Sequence, residues 1–129
     1  MNLLLNTHVF LWMVAEPSRI DRRILAALAS PDNEVIVSAA TPWEIAIKQA
    51  CGRLTFPLER FDEIMQRMGC DMLPILPAHG IAAGSLPRHH ADPFDRMLIA
   101  QARIETLTLV THDDAIRRYD VAVLEVSRF

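Results

Sequence analysis

Short apolar runs alternate with stretches of helical periodicity from one end of the chain to the other, and this limits the available folds more than any other feature. Leu3-Leu4-Leu5 forms a strand over residues 2 to 5, followed by an amphipathic stretch from Thr7 to about Ala15. Ile20 to Ala29 sets Ile24, Leu25 and Leu28 at helical spacing before the turn residues Pro31-Asp32-Asn33. Val35-Ile36-Val37 is β-branched and bounded by turn signals, so it reads as a buried strand. Helices are expected at about 42–50 and 58–68. A strand is expected over Met72 to Leu76, where Pro74 cannot donate to a ladder and so points to a sheet edge. The pattern continues with a helical piece near 78–85, a polar loop from Pro87 to Ala91 and a helix at about 93–105. A strand at Thr108-Leu109-Val110, a helical turn from about 113 and a strand near 121–126 complete it. This succession predicts an α/β chain: a three-layer α/β/α sandwich around a central, largely parallel sheet of four to five strands.

Composition narrows the function. With 129 residues the chain fits one domain, 1–129. Thirteen basic against 16 acidic residues give a net charge of −3, which argues against a protein that coats nucleic acid with a uniformly positive field. Lys48 is the only lysine, and arginine supplies the remaining cations. The four glycines fall at 52, 69, 80 and 84, none where the first strand enters its helix, which excludes a P-loop and a dinucleotide fingerprint. Cys51 and Cys70 form no CxxC pattern, so the reduced state is expected. No segment reaches the roughly 18 apolar residues of a membrane span, and a soluble, cytoplasmic protein is expected. A hydrophobic content of 51% is high for this size and predicts an apolar face turned to a partner.

In parallel sheets ligands bind beyond the carboxyl ends of the strands, and polar residues gather there. Asn6-Thr7-His8 follows the first strand and Thr111-His112-Asp113-Asp114 the fourth. Two helix starts share one grammar: Thr41-Pro42-Trp43-Glu44 and Asp92-Pro93-Phe94-Asp95. One reading makes Thr41 and Asp92 caps and Glu44 and Asp95 first-turn acids. The other gathers acids into a cation site. Glu44 and Asp113 reach the same sheet edge as Asn6 and would repel one another without a cation, and hard oxygen ligands favour Mg²⁺ or Mn²⁺. The convergence of Asp95 does not follow from the sequence, because no strand immediately precedes its helix. His89-His90 reads as part of a surface loop, solvated or beside phosphate, and Trp12 and Trp43 read as core residues. Arg22-Arg23 and Arg117-Arg118 read as solvated faces. Arg96, beside Asp95, is the candidate for a substrate phosphate contact.

Four segments in order carry a resemblance: Leu3-Leu4-Leu5-Asn6-Thr7-His8; Val37-Ser38 with Trp43-Glu44-Ile45-Ala46-Ile47-Lys48; His90 to Ala102, containing Asp92-Pro93-Phe94-Asp95-Arg96; and Leu107 to Asp113. From Leu3 to about Leu124 the chain resembles the PIN-domain family, specifically the VapC-like ribonuclease toxins of toxin–antitoxin systems. The resemblance implies a Mg²⁺- or Mn²⁺-dependent endoribonuclease with a quartet of metal-holding acids. It also implies a homodimer and a VapB-like antitoxin partner. The second acid matches Glu44, the third Asp95 and the fourth Asp113, while the first falls on Asn6. Asn6 carries no negative charge and cannot accept a proton from water, which weakens metal binding and catalysis. It reads either as a deliberate near-isosteric exchange that disables a toxic nuclease or as a natural copy that binds partners without cleaving. A non-catalytic module that docks an antitoxin is the alternative function. A phospho-accepting receiver domain fits poorly, because the first strand lacks a following acidic pair and the third ends without an aspartate.

Overall fold

Leu3, Leu4 and Leu5 are all fully buried, which three successive residues of a strand achieve only when both sheet faces are covered. The computed structural model describes residues 1–127 and places these leucines in the central strand β1 (Asn2–Leu5). β1 pairs in parallel with β2 (Glu34–Ser38), Leu5 opposite Val37, and with β4 (Thr108–Thr111), Leu5 opposite Val110. β3 (Cys70–Leu73) lies outside β2 and β5 (Val123–Glu125) outside β4, giving a parallel sheet of order β3-β2-β1-β4-β5. This is the expected sandwich, with five strands.

Period-2 alternation divides the core between the two faces. Leu3, Leu5, Val35, Val37 and Val110 point into one apolar cluster with Phe10, Ile24 and Phe61 from helices α1 (Thr7–Ala15), α2 (Arg22–Ala29) and α4 (Phe61–Arg67). Leu4, Ile36 and Leu109 point into the other. There they meet Leu98, Ile99 and Ala102 of α6 (Pro93–Glu105) and Ile116 of a 3₁₀ turn at Asp114–Arg118. α3 (Ala40–Ala50) and α5 (Pro77–Ser85) complete six helices among the described residues. No helix among the described residues is long and apolar enough to cross a membrane.

Several expected boundaries move. The third strand runs over Cys70–Leu73 rather than Met72 to Leu76. Its ladder pairs Val35 with Cys70 and Ser38 with Leu73, and Pro74, which has no N–H to donate, falls just beyond it on the edge strand. The helix expected at 58–68 is a 3₁₀ turn, Leu58–Arg60, running into α4. α3 begins at Ala40, so Thr41 lies inside the helix and does not cap it; the Ser38 hydroxyl instead accepts the Ala40 N–H at 3.0 Å. Trp43 is not a core residue. It is 60% exposed and meets only the edge of Phe94 among aromatic rings of the described residues, centroids 5.1 Å apart. α6 ends on Thr106 in the left-handed conformation, φ 57°, where the Thr106 N–H reaches the Ala102 carbonyl.

Candidate active site

The strand order reverses beside β1: the chain winds outward through β2 and β3, then restarts on the other side with β4. Such a reversal leaves a crevice beyond the carboxyl ends of the two central strands. Asn6-Thr7-His8 and His112-Asp113 begin at that edge. Asn6 is 2% exposed; its N–H donates to the Val110 carbonyl and its Oδ1 accepts the Val9 N–H, both at 3.0 Å. It is therefore the N-cap of α1, a role asparagine fills well and one that sequence reasoning missed. The Thr7 hydroxyl donates to Glu44 Oε1 at 2.5 Å, while Lys48 Nζ donates to Glu44 Oε2 at 2.6 Å. Glu44 lies past the first turn of α3, so it is not a capping acid. It is buried, and its charge is balanced by an i, i+4 ammonium.

Asp92 and Asp95 divide their tasks. Asp92 Oδ1 caps α6, accepting the Phe94 N–H at 2.8 Å and the Asp95 N–H at 3.2 Å. Asp95 takes no capping bond and sets Oδ2 3.0 Å from His90 Nε2. Asp113 Oδ2 lies 2.9 Å from the same nitrogen, while its Oδ1 accepts the Ala115 N–H at 2.9 Å. His90 Nδ1 accepts the Asp92 N–H at 3.2 Å, which places the ring proton on Nε2, between the two carboxylates. His90 is thus no solvated loop residue. Its position is fixed by Tyr119, whose hydroxyl accepts the His89 N–H at 3.1 Å and the His90 N–H at 2.9 Å and donates to the Pro87 carbonyl at 2.7 Å. No local signal exposes this contact, because it spans about 30 residues.

The Arg96 guanidinium donates to the carbonyls of Ala83, Leu86, Pro87 and His90 at 2.9 to 3.3 Å, tying the end of α5 and the following loop to α6. The fork expected to contact a substrate phosphate is thus engaged by backbone acceptors. Arg117, expected on a solvated face, pairs with Glu125.

Crowding raises the Asp95 carboxyl to about 6: burial dominates, the charges of Asp92, Glu44 and Asp113 add to it, and His90 opposes them. For Asp113 partial burial works against ionisation, but the Ala115 N–H and His90 outweigh it, and the carboxyl sits below its ordinary range. His8 is lowered, first by burial and then by the Lys48 charge. One ligand atom each from His90, Asp95 and Asp113 lies within 4.8 Å of the others. The carboxylates suit a hard divalent cation. Of the sequence candidates, Asp95 and Asp113 converge on one point, Glu44 acts on Asp95 through its charge, and Asn6 adjoins Glu44 through Thr7.

The family model of the PIN domain matches residues 3–122, and the chain belongs to the PIN-domain family. No curated protein matches it in sequence. Its fold is similar to that of VapBC2 from Rickettsia felis bound to a DNA fragment from their promoter, with 14% identity, 98% of this chain and 100% of that chain covered, and a TM-score of 0.71. A toxin–antitoxin complex from Klebsiella pneumoniae gives 16% identity, 98% and 99% coverage and a TM-score of 0.67. VapBC-1 from nontypeable Haemophilus influenzae gives 19%, 97% and 98%, and 0.65. At these identities the likeness concerns the fold.

Proposed function

We propose that this chain is a VapC-like, Mg²⁺- or Mn²⁺-dependent endoribonuclease whose activity is lowered by Asn6. The observation that carries the reading is the meeting of Asp95 and Asp113, 18 positions apart in sequence, around one point. Asp95 and Asp113 would hold the ion, with Glu44 and the Asn6 amide oxygen beside them. When bound, such a cation lowers the pKa of water for attack on a phosphodiester and withdraws charge from the phosphoryl group. The chain's own groups prepare the site. Thr7 and Lys48 fix both oxygens of Glu44, and the His90 N–H aligns Asp95 with Asp113. Asn6 keeps α1 capped but adds no charge and takes up no proton.

The test is RNA cleavage by the chain and by Asn6→Asp, each with Mg²⁺ or Mn²⁺. Asn6→Asp should cleave at least about tenfold faster, and Glu44→Gln or Asp95→Asn should abolish the gain. Cleavage that stays undetectable, or that survives loss of both Glu44 and Asp95, sinks the nuclease reading. Calorimetry then separates the alternative, an antitoxin-docking module, since acids with a purely structural role bind no metal even in Asn6→Asp. The same reading includes a VapB-like antitoxin and a homodimer as partners, and sedimentation that gives only a monomer at micromolar concentration removes the dimer.

A further inference from the structure

The residues that carry this inference lie beside the carboxylates, not among them. A cavity of about 680 Å³ is lined by His8, Trp12, Arg19 and His112, together with Ser18 and Ser127. The chain itself joins it to the candidate site: His8 stands two residues after Asn6, and His112 directly precedes Asp113. Three rings meet there. Trp12 and His112 lie edge to face at 4.9 Å, His8 and His112 edge to face at 5.0 Å, and His8 and Trp12 tilted at 6.1 Å. The Arg19 guanidinium lies 4.7 Å from the centre of the Trp12 ring.

Val9 and Phe10 of α1 are fully buried, whereas Trp12, like Leu11, Met13 and Val14 beside it, is half-buried, packing one side on the core while it lines the cavity. Arg19 is also within 3.5 Å of Glu16, but both side chains are more than half exposed, and such a pair is released at little cost. The outer face of Trp12 carries the Arg19 guanidinium, so a base stacks on that ring as Arg19 swings off it, and the displaced planar cation suits the adjoining phosphate.

We infer that this cavity is a nucleotide subsite, in which an unpaired base of single-stranded RNA stacks on Trp12 while Arg19 takes an adjoining phosphate. The inference rests on the nuclease reading and adds where the substrate lies.

In a Trp43→Phe background Trp12 is the sole tryptophan, and its fluorescence reports the cavity directly. A short single-stranded oligoribonucleotide, added in Ca²⁺ buffer, should quench it saturably. Trp12→Ala should weaken binding of the labelled oligonucleotide by about tenfold or more, with Trp12→Phe keeping most of the affinity. Arg19→Ala, an exposed change, tests the same wall without touching the core. It should lower affinity and reduce the slope of log K against log salt by about 0.7. Calorimetric Mn²⁺ binding should be the same in all variants. RNA affinity unchanged in both Trp12→Ala and Arg19→Ala overturns the subsite and leaves the nuclease reading standing. No RNA binding by the parent, with no cleavage by Asn6→Asp, overturns both. Quenching by a peptide from a cognate antitoxin but not by RNA overturns it in favour of a protein occupant.

Discussion

Burial and the charges of three other acids raise the Asp95 carboxyl to about 6. A solvated aspartic acid titrates near 3.8, so Asp95 contributes stability that is complete below about pH 4 and lost as the pH rises through about 6. Asp95→Asn removes that loss. In metal-free buffer at pH 7.5 the variant should be more stable by about 1–3 kcal/mol, with the difference vanishing near pH 4, as denaturant titrations at the two pH values will show. The cysteines offer a second check at this scale. Burial pushes the Cys70 thiol up to about 11, whereas Cys51 is exposed. Maleimide at pH 7.5 should therefore label one thiol quickly, Cys51, and mass spectrometry should find Cys70 modified only after unfolding. At this scale the sequence separated Asp92 from its neighbours correctly, since an Asp-Pro helix start is a strong capping signal. Arg96 was less legible. An arginine beside an acid reads as a phosphate ligand, and nothing local shows the loop that folds back onto its guanidinium.

Elements were most legible where one apolar pattern had no competitor. β1 and β2 are flanked by turn residues and lie where expected, as does α6 behind its Asp-Pro start. β3 was displaced because Met72-Leu73 and Ile75-Leu76 are equally apolar on either side of Pro74, and only the ladder to β2 decides which pair is used. The His90 loop was unreadable because Tyr119, distant in sequence, holds it together with Arg96. Tyr119→Phe leaves the His89 and His90 amides without that acceptor. It should cost about 1–3 kcal/mol in chemical unfolding and loosen the loop that brings His90 to the carboxylates. The end of α6 gives the opposite expectation. Thr106 is β-branched yet left-handed, so Thr106→Gly should raise stability by about 1 kcal/mol in the same assay.

For the whole molecule, the parallel sheet between two helical layers followed from the alternation of strands and helices, because strands buried on both faces admit few other arrangements. Leu4→Ala, at the centre of the second face, should cost about 2–5 kcal/mol in denaturant unfolding. Glu44 and Asp113 were legible as site candidates because their helix and turn follow strands directly. Asp95 reaches the site only through the tertiary packing of α6 against α3 and α5, which no local pattern encodes. Among the apolar residues, Trp43, Leu76 and Ile81 are exposed. The pairing of Lys48 with Glu44, and of the His90 N–H with Asp95 and Asp113, bears on how the molecule would take up an ion. On the nuclease reading these groups are placeholders, and loading becomes an exchange in which a tethered ammonium and an imidazole must let go. Affinity then depends as much on how readily Lys48 withdraws as on the number of acids, and a Lys48→Met chain should hold Mn²⁺ more tightly than its parent.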